Sequence, residues 1–340
     1  MFKKISDLIV CPYCHKNLIF VKKFALESAI FSCRCTKYPL VEGILYLKRD
    51  NIRQKLINKI VRSKNYLYFF SFSFRSRLLF KFVGFKFIST FLNFKNLIKF
   101  ITLLGFPIKF VKYVRLRNRI PSFFLSLLSF DLIRPGITLD IGCAMGQFLP
   151  FIYKHCNPKN FIGIDRDFFN LCIAKKYFAK NNTILICCDV DKGLPIKNKS
   201  VSNFFVTDTL HYIKNINSFL KDLRNASKNN AEGAIIHTLN TNVDSPPPCY
   251  GRRPIDITKV LKNNGFKDIN ILSNLNLWNQ LNKSSKIIID NERNINKAYV
   301  YNILFTKRGS LVFSHDYQKL LKKTKINFYQ DKYLMDRSSL

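Results

Sequence analysis

The run Thr138-Leu-Asp-Ile-Gly-Cys-Ala-Met-Gly-Gln-Phe148 changes character halfway along. Its first half is apolar and β-branched, as a buried strand requires, and its second half is a set of small residues leading into the start of a helix. Small residues let a backbone come close to a ligand, and the N-terminus of a helix presents unpaired N–H groups. With Asp140 just ahead of the turn, the run predicts a nucleotide-type site at the end of a strand.

Working outward, the chain after Gly136 alternates strand and helix. Strands are expected at 137–141, 160–164, 183–188, 201–207 and 233–239, with helices at about 147–155, 168–179 and 216–227. Residues 258–265 then read as the last crossover helix, 266–271 as its strand, and 299–307 as the closing strand. Such alternation implies right-handed crossovers and an α/β fold: a Rossmann-like, doubly wound, mostly parallel sheet with its ligand at the carboxyl ends of the strands.

Three acids, Asp140, Asp165 and Asp189, close the first three strands in turn. An acid one strand-helix-strand unit after a glycine turn can accept hydrogen bonds from a ribose diol. A dinucleotide site would have Gly-x-Gly-x-x-Gly, whereas here Asp140 precedes Gly142-Cys-Ala144-Met-Gly146 and would repel a pyrophosphate. It would attract a cationic amino-acid group instead, so the ligand expected is S-adenosylmethionine (SAM).

Residues 137 to 240 resemble the class I SAM-dependent methyltransferases, in particular the type 11 group. The likeness rests on Leu139-Asp-Ile-Gly142 with Gly146, Gly163-Ile-Asp165, Cys188-Asp189-Val190, Leu194-Pro195, Ser200-Val-Ser-Asn203 and Thr209-Leu-His211-Tyr-Ile213. The resemblance implies that Asp140 and the turn Gly142, Cys143, Ala144 and Gly146 line the methionine end of the cofactor. It further implies Asp165 and Arg166 at the ribose, Asp189 and Val190 at the adenine, and Thr207 to Leu210 as the floor of the transfer pocket. His211 is the base nearest that pocket, with capping or packing as its other reading. Two positions depart from the pattern: Ala144 replaces a glycine, and Asn203 replaces an aspartate.

At the other end of the chain, Cys11-Pro-Tyr-Cys14 and Cys33-Arg-Cys35 are two close cysteine pairs. Two such pairs on tight turns can aim four thiolates at one tetrahedral zinc ion, and the metal would supply folding free energy that so short a segment lacks. A redox dithiol would want a βαβ context, and four incidental thiols are the other alternative. His15 is a reserve ligand. Together with Tyr38-Pro39, Glu42-Gly43-Ile44 and Leu47, the pairs resemble the Trm112-type zinc ribbon, a scaffold or docking piece. Glu42 and Leu45 stand where that pattern has Asp and Pro.

Between these units lies the most basic stretch. The whole chain has a net charge of +35, and residues 51–134 hold 17 basic residues, one acid and 16 phenylalanines. Phe80, Val83, Phe87, Phe91, Phe94, Ile98 and Ile101 recur at steps of three and four, a helical stripe. Such a segment can cover the catalytic core as a lid, or meet a membrane surface or RNA phosphates. No apolar run there reaches the roughly 20 residues of a spanning helix. The adjacent Cys187 and Cys188 read as reduced core cysteines, and a reducing cytoplasm is the expected compartment.

The expected organisation is a zinc ribbon over 1–50, a basic helical region over 51–135, a methyltransferase core over 136–310 and a basic tail over 311–340. The expected activity is methyl transfer from SAM to a small-molecule or glycan or lipid-linked acceptor. The alternatives are an RNA methyltransferase and a SAM-binding protein without activity.

Overall fold

The protein is seen in a computed structural model that describes residues 1–61, 133–146, 148, 149, 152, 153, 158–241, 249–273, 298 and 300–305. The helical stripe from Phe80 to Ile101, the loop Ser245-Pro-Pro-Pro248 and the tail 311–340 lie outside the described residues. So does most of the helix expected at 147–155, of which one helical bond, from Ile152 N–H to the Phe148 carbonyl at 2.9 Å, belongs to the described part.

Helix α1 (Phe2–Leu8) is followed by four strands, β1 (Ile19–Ala25), β2 (Ser28–Cys33), β3 (Thr36–Val41) and β4 (Ile44–Tyr46), and by helix α2 (Asn51–Val61). The core then contributes β5 (Ile137–Ile141), β6 (Asn160–Asp165), α3 (Phe168–Tyr177), β7 (Thr183–Cys187), β8 (Val201–Thr207), α4 (Ile216–Ala226), β9 (Ser227–Leu239), α5 (Pro254–Asn263), β10 (Ile269–Ser273) and β11 (Val300–Phe305). All eleven strands form one sheet in the order β1-β2-β3-β4-β7-β6-β5-β8-β9-β11-β10. Strands β7, β6, β5, β8 and β9 run parallel, and β11 returns antiparallel between β9 and β10. This is the Rossmann-like class I methyltransferase fold. Strand β9 starts at Ser227, six residues before the expected Gly233, and its register on β8 breaks between the Val201–Ser227 and Asn203–Glu232 pairs.

The N-terminal strands are part of the same sheet. β4 pairs in parallel with β7, Ile44 opposite Leu185 and Tyr46 opposite Cys187, and the Leu47 N–H donates to the Cys187 carbonyl at 2.8 Å. One apolar core therefore runs from Phe31, Tyr38 and Leu45 through Ile162 and Ile186 to Phe204 and Tyr301. Val41 and Ile44 flank a two-residue turn in which Glu42 and Gly43 both have positive φ, 49° and 81°, the geometry of a tight hairpin.

The departure at Asn203 has a structural reason. This side chain is buried, its Nδ2 donates to the Arg134 carbonyl at 2.8 Å and to Thr138 Oγ1 at 3.2 Å, and its Oδ1 accepts the Arg134 N–H at 2.8 Å. An aspartate could not donate to the carbonyl. Arg134 in turn forks onto the fully buried Glu232, with Nε to Oε2 at 2.7 Å and Nη2 to Oε1. The chain entering β5 is thereby fixed to β8 and β9.

Candidate active site

The glycine turn after β5 is held on β6: the Gly142 and Cys143 N–H groups both donate to the Ile164 carbonyl, at 2.8 and 3.0 Å. Gly142 and Gly146 have φ of 76° and 72°, in the region that favours glycine. A side chain at Gly142 would collide with Thr209 Oγ1, 1.9 Å from its would-be Cβ, so the turn and the segment after β8 are pressed together. Ala144 occupies the left-handed region with φ of 46° despite its methyl group, and its N–H donates to Asp165 Oδ2 at 2.8 Å.

Asp165 ends β6, and its other oxygen accepts the Asp167 N–H at 2.8 Å. Burial raises its pKa; the two backbone donors oppose that shift. Each carboxylate oxygen keeps a second lone pair, so a diol can still donate to the group. Asp140 is buried on β5 just before the turn. Asp189, two residues beyond β7, caps the 3₁₀ turn Val190–Lys192 by accepting the Asp191 N–H at 3.2 Å. The expected acids thus end three adjacent strands. Arg166 is exposed and its guanidinium lies 5.7 Å from the Tyr212 ring centre. Thr207 and Leu210 are buried, and the Thr207 carbonyl accepts Thr209 Oγ1 at 2.8 Å.

Past β8 the structure adds a residue that the sequence reading missed, His237, to Asp208 and His211 of the expected transfer pocket. Asp208 has φ of 51° and His237, on β9, has φ of 59°. Their side chains meet at 2.9 Å, His237 Nδ1 to Asp208 Oδ1. His211 is almost wholly buried, with Nε2 3.7 Å from the same Asp208 oxygen and its ring against Tyr212 at 4.3 Å between centres. The available signal was a histidine interrupting the apolar run Ala234-Ile-Ile-His237. Arg252 was also missed: it is half-buried, which lowers its pKa, and its Nη2 donates to the Ile213 carbonyl at 2.6 Å.

The four cysteines also converge. Cys11, Cys14, Cys33 and Cys35 place their sulfurs within 4.8 Å of one another, the one such metal-sized cluster among the described residues. Sulfur–sulfur distances of 3.2, 3.4 and 3.6 Å link Cys35 to Cys33, Cys14 and Cys11. Tetrahedral zinc with Zn–S of about 2.3 Å needs sulfurs ~3.8 Å apart, so the set fits the ion. Burial pushes the Cys11 thiol up, but hydrogen bonds from Tyr38 and the Cys14 and Tyr13 backbone outweigh it and bring it down to about 6. Burial and the neighbouring sulfurs push Cys35 up. Arg49 donates to Cys35 Sγ and lies over the Tyr13 ring at 4.0 Å.

This cysteine cluster abuts the strand ends. The Val10 N–H donates to the Pro195 carbonyl and the Lys197 N–H to the Leu8 carbonyl, at 3.1 and 2.9 Å. Gly193 sits so close that an added Cβ would be 2.2 Å from the Pro12 carbonyl oxygen. Lys48 Nζ reaches the Arg166 carbonyl at 3.5 Å.

With this geometry in place, comparison with known proteins gives the class. Residues 139–235 match the type 11 family described as "Methyltransferase domain", so this part of the chain is a methyltransferase domain of the SAM-dependent class. No curated protein sequence matches the chain. Among solved structures, it is similar to Haemonchus contortus phosphoethanolamine N-methyltransferase 2, at 14% identity over 60% of this chain and 61% of that one, with a TM-score of 0.41. The chain therefore spans less than two thirds of that enzyme. A SAM-dependent methyltransferase from Aquifex aeolicus is 20% identical over 61% of this chain and 96% of its own, with a TM-score of 0.38. A chain from the complex between the Haloferax volcanii Trm112 methyltransferase activator and a methyltransferase is 12% identical over 57% and 92%, with a TM-score of 0.43. Among the described residues no helix is long and apolar enough to cross a membrane.

Proposed function

We propose that the chain transfers the methyl group of SAM to a small-molecule, glycan or lipid-linked acceptor in the cytoplasm or at the membrane surface. The observation that carries this reading is the set of acids on adjacent strand ends around a left-handed turn, with the Asp165 carboxylate aligned by the Ala144 and Asp167 N–H groups. Asp165 and Arg166 would take the ribose, Asp140 and the turn through Gly146 the methionine end, and Asp189 and Val190 the adenine. Thr207, Leu210 and His211 would border the acceptor. Bound SAM supplies a methyl group already activated by positive sulfur, so the protein's task is to align and dehydrate the reacting pair. The Cys11, Cys14, Cys33 and Cys35 set would hold a structural zinc ion, giving a Trm112-like ribbon carried in the same chain as the domain it braces.

The net charge of +35 favours a second reading, an RNA acceptor. Tritiated-methyl transfer from SAM into total RNA, compared with a lipid and glycan extract, decides between them. Label in the extract alone supports the first reading, and label in RNA overturns it. Binding of SAM with no transfer to either supports a SAM-binding protein without activity.

A further inference from the structure

Two non-glycine residues with positive φ face each other at the carboxyl ends of β8 and β9, and they are the members of one acid–imidazole pair. Left-handed backbone at a residue other than glycine costs free energy and persists only where surrounding structure imposes it. At His237 the imposing structure is a β-bulge. Thr238 pairs with Tyr301 and Ile235 with Ile303, so Ile236 and His237 together oppose Asn302. The His237 N–H, displaced from the ladder, donates to the Asn302 side chain at 2.9 Å. A bulge turns a side chain away from the direction that strand alternation would give it. On the other side, the Asp208 N–H is tied to the Ile236 carbonyl at 2.9 Å, which fixes the acid against the bulge.

From this geometry we infer that Asp208 and His237 form the proton-accepting pair of the transfer reaction, and that the acceptor is a hydroxyl group. The inference rests on the methyl-transfer reading above. Asp208 accepts from Nδ1, which makes Nδ1 the protonated nitrogen and leaves the Nε2 lone pair as the base. The pair retains access to solvent, 19% for the His237 side chain and 17% for Asp208, whereas His211 has 3%. It also lies next to the donor site, since Thr209 follows Asp208 and packs on Gly142 of the turn.

The step balances as follows. The acceptor oxygen attacks the methyl carbon, a C–O bond forms, and the C–S bond breaks with its electron pair staying on sulfur, which becomes neutral. The hydroxyl proton passes to His237 Nε2, and the imidazolium is stabilised by the Asp208 carboxylate until the proton leaves to solvent. An oxygen acceptor gains most from such a base, because a neutral alcohol is a poor nucleophile and its oxonium product must lose the proton. His237 would be the catalytic residue and Asp208 a positioning residue.

The test compares the full-length chain with His237→Gln and Asp208→Asn, the latter keeping a residue type that tolerates the left-handed backbone. SAM affinity by calorimetry should stay within about twofold. Tritium transfer into the lipid and glycan extract should fall by about 10²-fold or more for His237→Gln, the range of general-base loss. Imidazole added to His237→Ala should restore part of the rate. Ring ¹⁵N NMR should find His237 as the Nδ1–H tautomer, with that preference lost in Asp208→Asn. Transfer by His237→Gln at the parent rate overturns the inference, as does an Nε2–H tautomer for His237. If the parent binds SAM yet labels no extract, the methyl-transfer reading fails, and the tautomer still decides whether the pair is arranged as described.

Discussion

Replacing Asn203 by Asp puts the most informative load on the frame of the site. The substitution changes one atom and restores the residue that the resembling methyltransferases carry, yet here it should destabilise the protein. Nδ2 is the donor to the Arg134 carbonyl, and a carboxylate leaves that buried acceptor without it, at about 1–3 kcal/mol. Thr138 can rotate its hydroxyl to donate instead, so that contact survives. Asn203 is directly opposite Glu232 in the β8–β9 ladder, and Glu232 is fully buried. Two carboxylates about 5 Å apart at an effective dielectric of about 20 repel by ~3 kcal/mol, of which the Arg134 fork offsets roughly half. The net loss is about 3 kcal/mol, read as a lower urea midpoint with unchanged slope. Adding Glu232→Gln removes the repulsion, so the double variant should recover at least about 1 kcal/mol relative to additivity. A single variant within about 0.5 kcal/mol of the parent would refute the reasoning.

Asp165→Ala should abolish SAM binding by calorimetry; retained affinity would remove Asp165 from the site. Because burial raises the folded pKa of Asp165, its contribution to stability is present below the unfolded value and lost as pH rises through the folded one. Asp165→Asn should therefore gain on the parent in urea melts as pH is raised from about 4 toward 7. Elemental analysis should find one zinc per chain, lost in Cys11→Ser, and the same variant should bind SAM more weakly because Cys11 lies beside the loop that carries Asp189. Gly193→Ala, whose Cβ would meet the Pro12 carbonyl at 2.2 Å with φ at 130°, should lower the melting temperature by several degrees.

Much of this was legible in the sequence because it depends on short-range pattern. The turn Gly142 to Gly146, the acids closing β5, β6 and β7, and the two cysteine pairs each sit within a few residues whose types announce their geometry. What escaped depends on partners distant in the chain. Asp208 and His237 are 29 residues apart, and they become a pair only through a bulge set by the register of β11. Asn203 stood out in the sequence as a departure from the family pattern, but nothing local connects it to its partners Arg134 and Glu232. Likewise, the cysteines specify a small metal-sized unit but not that its last strand continues the sheet at β7.

That continuation sets an order of events during synthesis. Ile44 pairs with Leu185, 141 residues later, so β4 waits until β5, β6 and β7 have left the ribosome. Closing so long a loop costs roughly 4 kcal/mol of chain entropy beyond a constant. A ribbon already made rigid would meet the arriving strand as a ready template, and metal supply would then govern how fast the nascent chain completes its sheet as well as how stable the finished one is.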